Sequence, residues 1–481
     1  MANQDIQIHP GESPLSLSIR HLLRWTHTEK TNLHAYETTG CQLITQGAQH
    51  NITDDAGNTL LIRAATYGLK QLVTTLLEKG AKVDIVNHHR RTALTYAAEK
   101  GHKEVVALLL THGANPHMMS ISRDTALIYA AGGGFEEIVL LLLKESVEID
   151  IVNNQGSTAL SNASGNGHEA VVALLLKHRA NPNILGNDEE TALTSAARGG
   201  HVAIARMLLM NKADPNMLTT FGCTPLIVAV NNGKEEMVHL LFKNTECKAN
   251  PDLVGLGDDP PIILAIAGGY DQIAYQLIEE GAKLEIMNCE GHTPLTFAAW
   301  HGRESVVRRL LAAAANPNKL TRGGLSPLFF AATKGYEVIV ELLLKSGANP
   351  DITTAARKTP LMSASVHGYD NIVRLLLRAR PNMDHTGWSG YTALSHAARH
   401  GYKRIVWQLL TQGADPNKSS NSGKTPLFWA AFKGYEEIVH MLLMHGANPN
   451  IGDNKGNTAL QIATSRHQDH VVQILLKHVA K

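Results

Sequence analysis

The sequence predicts an all-α solenoid of stacked helix-turn-helix units with hairpin-like turn fingers, winding into a curved superhelical rod. Three observations predict it. A threonine that opens a Leu- and Ala-rich run recurs at Thr59, Thr92, Thr125, Thr158, Thr191 and Thr224, in steps of 33 residues. The same step returns at Thr293, Ser326, Thr359, Thr392, Thr425 and Thr458, with Pro260 holding the equivalent place between the two blocks after a step of 36. Composition agrees: aromatics make up only 5% of the chain, and Leu, Ala and Gly dominate, which suits close-packed helices. A fixed period over thirteen registers marks an array that grows unit by unit, so 481 residues do not imply three separate cores.

Each part of the unit has a physical reason. The Thr hydroxyl accepts a backbone N–H and caps the first helix. Proline follows it at Pro225, Pro294, Pro327, Pro360 and Pro426, the first helical position, where a missing N–H costs nothing. Ala pairs such as Ala298-Ala299 let neighbouring helices approach. A glycine nine residues after the Thr (Gly68, Gly101, Gly335, Gly434) ends the first helix in a left-handed cap. The second helix shows an apolar face, for example Ile438, Val439, Leu442 and Leu443, and a second glycine (Gly80, Gly113, Gly347, Gly446) ends it. The following stretch, such as Asn448 to Gly456, is rich in Asn, Asp and Gly and reads as an extended arm with a tight turn.

The clearest copies are TPLFWAAFKGYEEIVHMLLMHGANPN (Thr425 to Asn450) and TPLTFAAWHGRESVVRRLLAAAANPN (Thr293 to Asn318). They resemble the ankyrin repeat, and the resemblance covers roughly residues 47 to 481. It departs at Pro260, at Arg380-Pro381, where Gly-Ala is usual, and at His467, where the mid-repeat glycine is missing.

The expected organisation has four parts. Residues 1–30 form an N-terminal segment with a short amphipathic capping helix over 13–25, carrying Leu15, Ile19, Leu22 and Trp25. Its Pro14, Leu15 and Leu22-Leu23 faintly resemble the opening of an F-box or SOCS box, but the stretch is too short for a complete one. Residues 31–245 are the N-terminal repeat block, whose Asn32 to Gln46 supplies the closing helix of an incomplete first repeat. Residues 246–261 are an irregular finger or seam. Residues 262–481 are the C-terminal block, ended by a cap helix with His470, Gln473, Lys477 and His478.

Catalytic and metal signatures fail on inspection. Gly132-Gly133-Gly134 lacks the Lys-Ser/Thr of a phosphate loop, and Gly134 is the repeat glycine. Asp258-Asp259 has no carboxylate series at calcium-loop spacing. His88-His89 and His467/His470 lack convergent Cys or carboxylate partners. Cys41, Cys223, Cys247 and Cys289 form no CxxC pair, which reads as a reducing, intracellular setting with no disulfide framework. No cofactor and no catalytic role are expected, a Cys/His site in the concavity being the remaining enzyme reading. No secretory signal or apolar run of membrane-spanning length stands out.

The resemblance implies a binding protein whose partner meets the concave face of the first helices and the finger tips. The positions seven and eight after the Thr belong to that face, with the position four after it one turn back. In the C-terminal block these hold Phe297, Trp300, His301, Phe330, Lys334, His367, His396, Arg399, His400, Trp429, Phe432 and Lys433, and the tips add Arg322, Lys358, Trp388, Tyr391 and Lys424. Phe297, Phe330 and Trp429 are equally open to a packing role between repeats. The N-terminal block offers Tyr67, Tyr96, Glu99, Lys100, Tyr129, Asn162, Arg198, Asn231 and Asn232, and partly acidic tips at Asp188, Glu189 and Glu190. From residue 260 onward the chain holds 23 Lys and Arg against 16 Asp and Glu; before it, 21 against 27. The expected partner is therefore another protein with an acidic or mixed surface, bound by a monomer mainly at repeats 8–12. A nucleic-acid or nucleotide binder is the alternative, since Trp and Phe beside Lys can stack on a base. By resemblance the setting is a eukaryotic scaffold or a host-directed bacterial effector.

Overall fold

The structure, a computed structural model, describes residues 14–23, 33–185, 190–243, 247–255 and 257–479. Among these are 28 α-helices and no strand, the one extended pairing being an isolated bridge between Thr53 and Thr59. The chain divides into two compact units, Met1–Asn250 and Pro251–Lys481. Within each, a first (inner) helix such as Ala93–Lys100 packs on its own second (outer) helix, Lys103–Thr111, and on the inner helix of the next repeat. Outer helices stack likewise. Helices of eight or nine residues are too short to persist alone. Burial of Leu94, Ala97, Ala98, Val105, Val106 and Leu109 between layers holds them.

The caps follow the sequence. Thr392 Oγ1 accepts the Ser395 N–H at 3.1 Å, and Gly401 closes that helix at φ 80°. At Pro260 the helix Pro261–Gly268 begins without a side-chain cap. The two glycine positions differ in what presses on them. A Cβ on Gly335 would lie 3.0 Å from Tyr369 of the next repeat, whereas one on Gly347 would meet open space. The second position therefore tolerates Ser146, Arg179, Lys212, Ala314 and Arg380, all at positive φ, while the first is kept for glycine. His467 is the exception at the first position, at φ 56°; among the described residues no further repeat packs a ring over it.

Fingers are tied by side-chain oxygens that cap the next repeat's backbone. Asn318 Oδ1 accepts the Asn349 N–H at 2.7 Å, Asp351 the Asn382 N–H at 2.8 Å, Asp384 the Asp415 N–H at 2.9 Å, and Asn417 the Asn448 N–H at 2.7 Å. The N-terminal unit repeats the device, with Asp84 receiving the Asn115 N–H at 3.0 Å.

At the N-terminal end the expected helix over 13–25 is observed as Pro14–Leu23, with Ile19, Leu22 and Leu23 buried. Ser13 and Trp25 lie outside the described residues, as do Asp188, Glu189 and Glu246. Helix Leu33–Thr45 packs beside the outer helix Lys70–Glu78, and Glu37 Oε1 accepts the Gln71 N–H at 2.8 Å. Helix Asp469–Val479 buries Val471 and Leu475 while His470, Gln473, Lys477 and His478 are exposed.

Candidate partner-binding face

Four positions of each repeat share the inner face: the residue just before the capping Thr, and those four, seven and eight after it. Contacts across the face show this. His292 (just before Thr293) lies 4.8 Å from Trp300, and Tyr391 (just before Thr392) lies 5.4 Å from His396, ring centre to ring centre.

In the C-terminal unit two aromatic groups form. The first joins His292, Phe297, Trp300, His301 and Phe330. Trp300 stacks parallel on Phe330 at 5.4 Å, and Phe297 meets His301 at 4.4 Å. The second joins Tyr391, His396, Trp429 and Phe432, with Trp429 edge-on to Phe432 at 5.8 Å and 6.1 Å from Tyr391. Cations lie on its rings: Arg399 at 4.6 Å and Lys424 at 4.9 Å from the Trp429 centre, and Arg466 at 4.2 Å and Lys433 at 5.8 Å from that of Phe432.

Each predicted residue has a definite place. His301, Lys334, His367, Arg399, His400 and Lys433 are exposed on the inner face; Phe297, Trp300 and Phe432 are half-buried there; Tyr391 is half-buried and Trp388, at a finger tip, is 69% exposed. Phe330 and Trp429 are the two most covered of the set, each only 8% exposed. Trp300 stacks on the Phe330 ring, and Arg399 and Lys424 lie over the Trp429 ring, so both act as a floor.

The charge arrangement distinguishes the units. Across the six repeats opened by Thr293 to Thr458, the four inner-face positions hold Lys334, Lys358, Arg399, Lys424, Lys433 and Arg466 and five histidines, but no Asp or Glu. Among the described residues none of these six cations has a carboxylate within 4.0 Å. In the N-terminal unit the same positions hold Arg63, Arg91, Lys100 and Arg198, and each is paired internally with a carboxylate, Arg91 and Lys100 sharing one. Arg63 pairs with Asp54 at 2.6 Å, Lys100 with Glu99 at 2.9 Å, Arg91 also with Glu99, and Arg198 with Glu190. Arg91 is further clamped between Tyr96 at 3.8 Å and Tyr129 at 4.3 Å.

The histidines register this field. Burial, then His400, Lys358 and Arg399, push His396 down to about 4. Burial and the neighbouring Arg399 and Lys433 lower His400, and burial with Arg303 and Lys334 lowers His301. Burial also lowers His292, against an opposing pull from Glu290 at 3.8 Å.

Two features escaped the sequence reading. His292 was not recognised because only the positions after the Thr were read as inner face; the residue before it was counted with the fingers. Trp407, 55% exposed on the outer helix Lys403–Thr411, stands between two depressions of about 540 and 480 Å³. Both touch Arg374 and Gln408, and the larger is flanked by the internal pairs Lys403–Glu437 and Arg404–Asp370. Outer-helix positions look like packing in a repeat alignment, which hid it.

Among the described residues no three His, Cys, Asp or Glu converge as a metal site, and no helix is long and apolar enough to cross a membrane. The four cysteines are free. Cys41 Sγ accepts from Thr75 at 3.6 Å, and Cys223 Sγ donates to the Phe221 carbonyl at 3.6 Å.

Stacked two-helix layers, capped by Thr and Gly and joined by tied fingers, define a repeat solenoid. The family model described as Ankyrin repeats (3 copies) matches residues 33–120, 115–186, 180–254, 247–321, 313–386, 328–420, 362–453 and 394–481. The chain belongs to the ankyrin-repeat family. No curated protein matches it. Ankyrin repeats are generally protein–protein interaction modules, and proteins built of them are typically non-catalytic binding scaffolds.

Proposed function

We propose that this chain is a non-catalytic scaffold or adaptor that holds an acidic partner protein on the inner face and fingers of repeats 8–12, those opened by Thr293 to Thr425. One observation carries the reading: this face gathers cations and aromatics with no carboxylate of its own, while every cation of the equivalent N-terminal face has a carboxylate partner. Unpaired surface charge steers an oppositely charged partner, and half-buried Trp and Phe beside Arg supply the anchors that dominate interface energy. The four free cysteines fit an intracellular monomer, whether a eukaryotic scaffold or a host-directed effector.

The test is affinity capture from cell lysate with mass spectrometry, wild type against Trp300→Ala/Phe432→Ala. The double variant loses the partner with an unchanged helical CD spectrum, and added salt weakens wild-type capture. Retained capture by the double variant refutes the site. Oligonucleotide binding with a steep salt dependence, in place of protein capture, would establish the nucleic-acid reading instead.

A further inference from the structure

Within the cationic face one place is built differently from the rest. The Trp429 ring comes from the inner helix Pro426–Lys433, Arg399 from the preceding inner helix Ala393–His400, and Lys424 from the finger just before Thr425. Both cations lie within 5 Å of the same indole centre, at 4.6 and 4.9 Å, and neither has a carboxylate in ion-pair range among the described residues. Like charges gathered on one ring repel, and the attraction of an indole face is weak beside a charge-assisted hydrogen bond. Beneath them the indole Nε1 is buried without a hydrogen-bond partner, on a side chain more than nine-tenths buried. A buried donor without an acceptor forfeits its solvation with nothing in return. Beside the indole stand the rings of Tyr391, Phe428 and Phe432, none of which offers a negative charge. Two cations without an ion-pair partner among the described residues and an orphaned donor thus gather on one indole, the Asp453 carboxylate acting on Lys424 only from beyond ion-pair range. An oxyanion supplies what all three lack.

We infer that Arg399, Lys424 and the Trp429 indole N–H form an oxyanion subsite that receives a carboxylate side chain, Asp or Glu, of the partner polypeptide. This rests on the inner-face reading above and sharpens it to one place and one chemical group. On binding, the guanidinium and ammonium turn from the ring face to the carboxylate, and the N–H, uncovered, donates to it. No bond is made or broken. Charge-assisted bonds of this kind are the stronger class, and a site that relieves its own repulsion on binding discriminates sharply against a neutral amide.

The experiment follows the indole N–H resonances of the full-length protein, labelled with ¹⁵N-tryptophan and assigned by Trp429→Phe and Trp300→Phe. Three probes are titrated at constant ionic strength: a short oligoglutamate peptide, its oligoglutamine counterpart, and a peptide carrying a single phosphoserine. The expected result is a saturable shift of the Trp429 signal with oligoglutamate and none with oligoglutamine. Arg399→Gln/Lys424→Gln abolishes that shift while leaving the other indole signals in place. If oligoglutamate shifts Trp300 alone, the subsite is overturned and the inner-face reading stands. If it shifts neither, both fail. A shift confined to the phosphoserine peptide overturns the assignment to carboxylate.

Discussion

Acidification tests the electrostatics of the inner face at a single group. His396 is held neutral by burial and by His400, Lys358 and Arg399, with its folded pKa pushed down to about 4. An unfolded histidine takes up its proton near pH 6.5. Between these values the unfolded chain binds a proton that the folded chain refuses, so stability is present above pH ~6.5 and drains away as pH falls towards ~4. At about 1.4 kcal/mol for each pH unit separating the two affinities, the loss is about 3 kcal/mol. The substitution His396→Gln keeps a polar side chain of similar reach and removes the titration. Urea unfolding, followed by tryptophan fluorescence, reads mainly the C-terminal unit, because four of the five tryptophans, Trp300, Trp388, Trp407 and Trp429, lie in it and Trp25 alone lies in the other. Between pH 7 and pH 4 the wild type should lose about 3 kcal/mol more than the variant. Equal losses in the two proteins, or a His396 ring signal that titrates near pH 6.5, would refute the reasoning.

Two further outcomes follow from the backbone and from the N-terminal unit. Ala314 sits at φ 65° in the second glycine position, so Ala314→Gly should raise the melting midpoint of the C-terminal unit, by about 0.5–1 kcal/mol in stability; an unchanged or lower midpoint contradicts the strain argument. Arg91→Ala removes a guanidinium clamped by Tyr96 and Tyr129 and paired with Glu99, costing about 2 kcal/mol in thermal unfolding while partner capture is unaffected. Loss of capture in that variant would place binding energy on the N-terminal face as well.

The fold was legible because each repeat states its own boundaries. Thr392 caps, Gly401 terminates and Asn417 ties the finger within a single period, so local chemistry recurs in register. The inner face was legible in composition and less so in contact. Nothing within one repeat says that Arg399 will lie on the ring of Trp429, 30 positions along, or that Arg91 will pair with Glu99 while Lys424 is left without a carboxylate in ion-pair range among the described residues. Those are properties of pairs brought together by stacking. Burial of Phe330 and Trp429 belongs to the same class: the position four after the Thr faces a neighbour whose size one repeat does not encode. His292 was missed for a simpler reason. The residue before the cap belongs to the finger in sequence and to the inner face in space.

The finger ties have a direction. In each, the side-chain oxygen comes from the upstream repeat and the backbone N–H from the downstream one, as from Asn318 to Asn349 and from Asn417 to Asn448. A chain emerging from the ribosome N-terminus first therefore displays each acceptor before the amide that will use it. The order in which the groups of each tie are synthesised is thus the same all along the array.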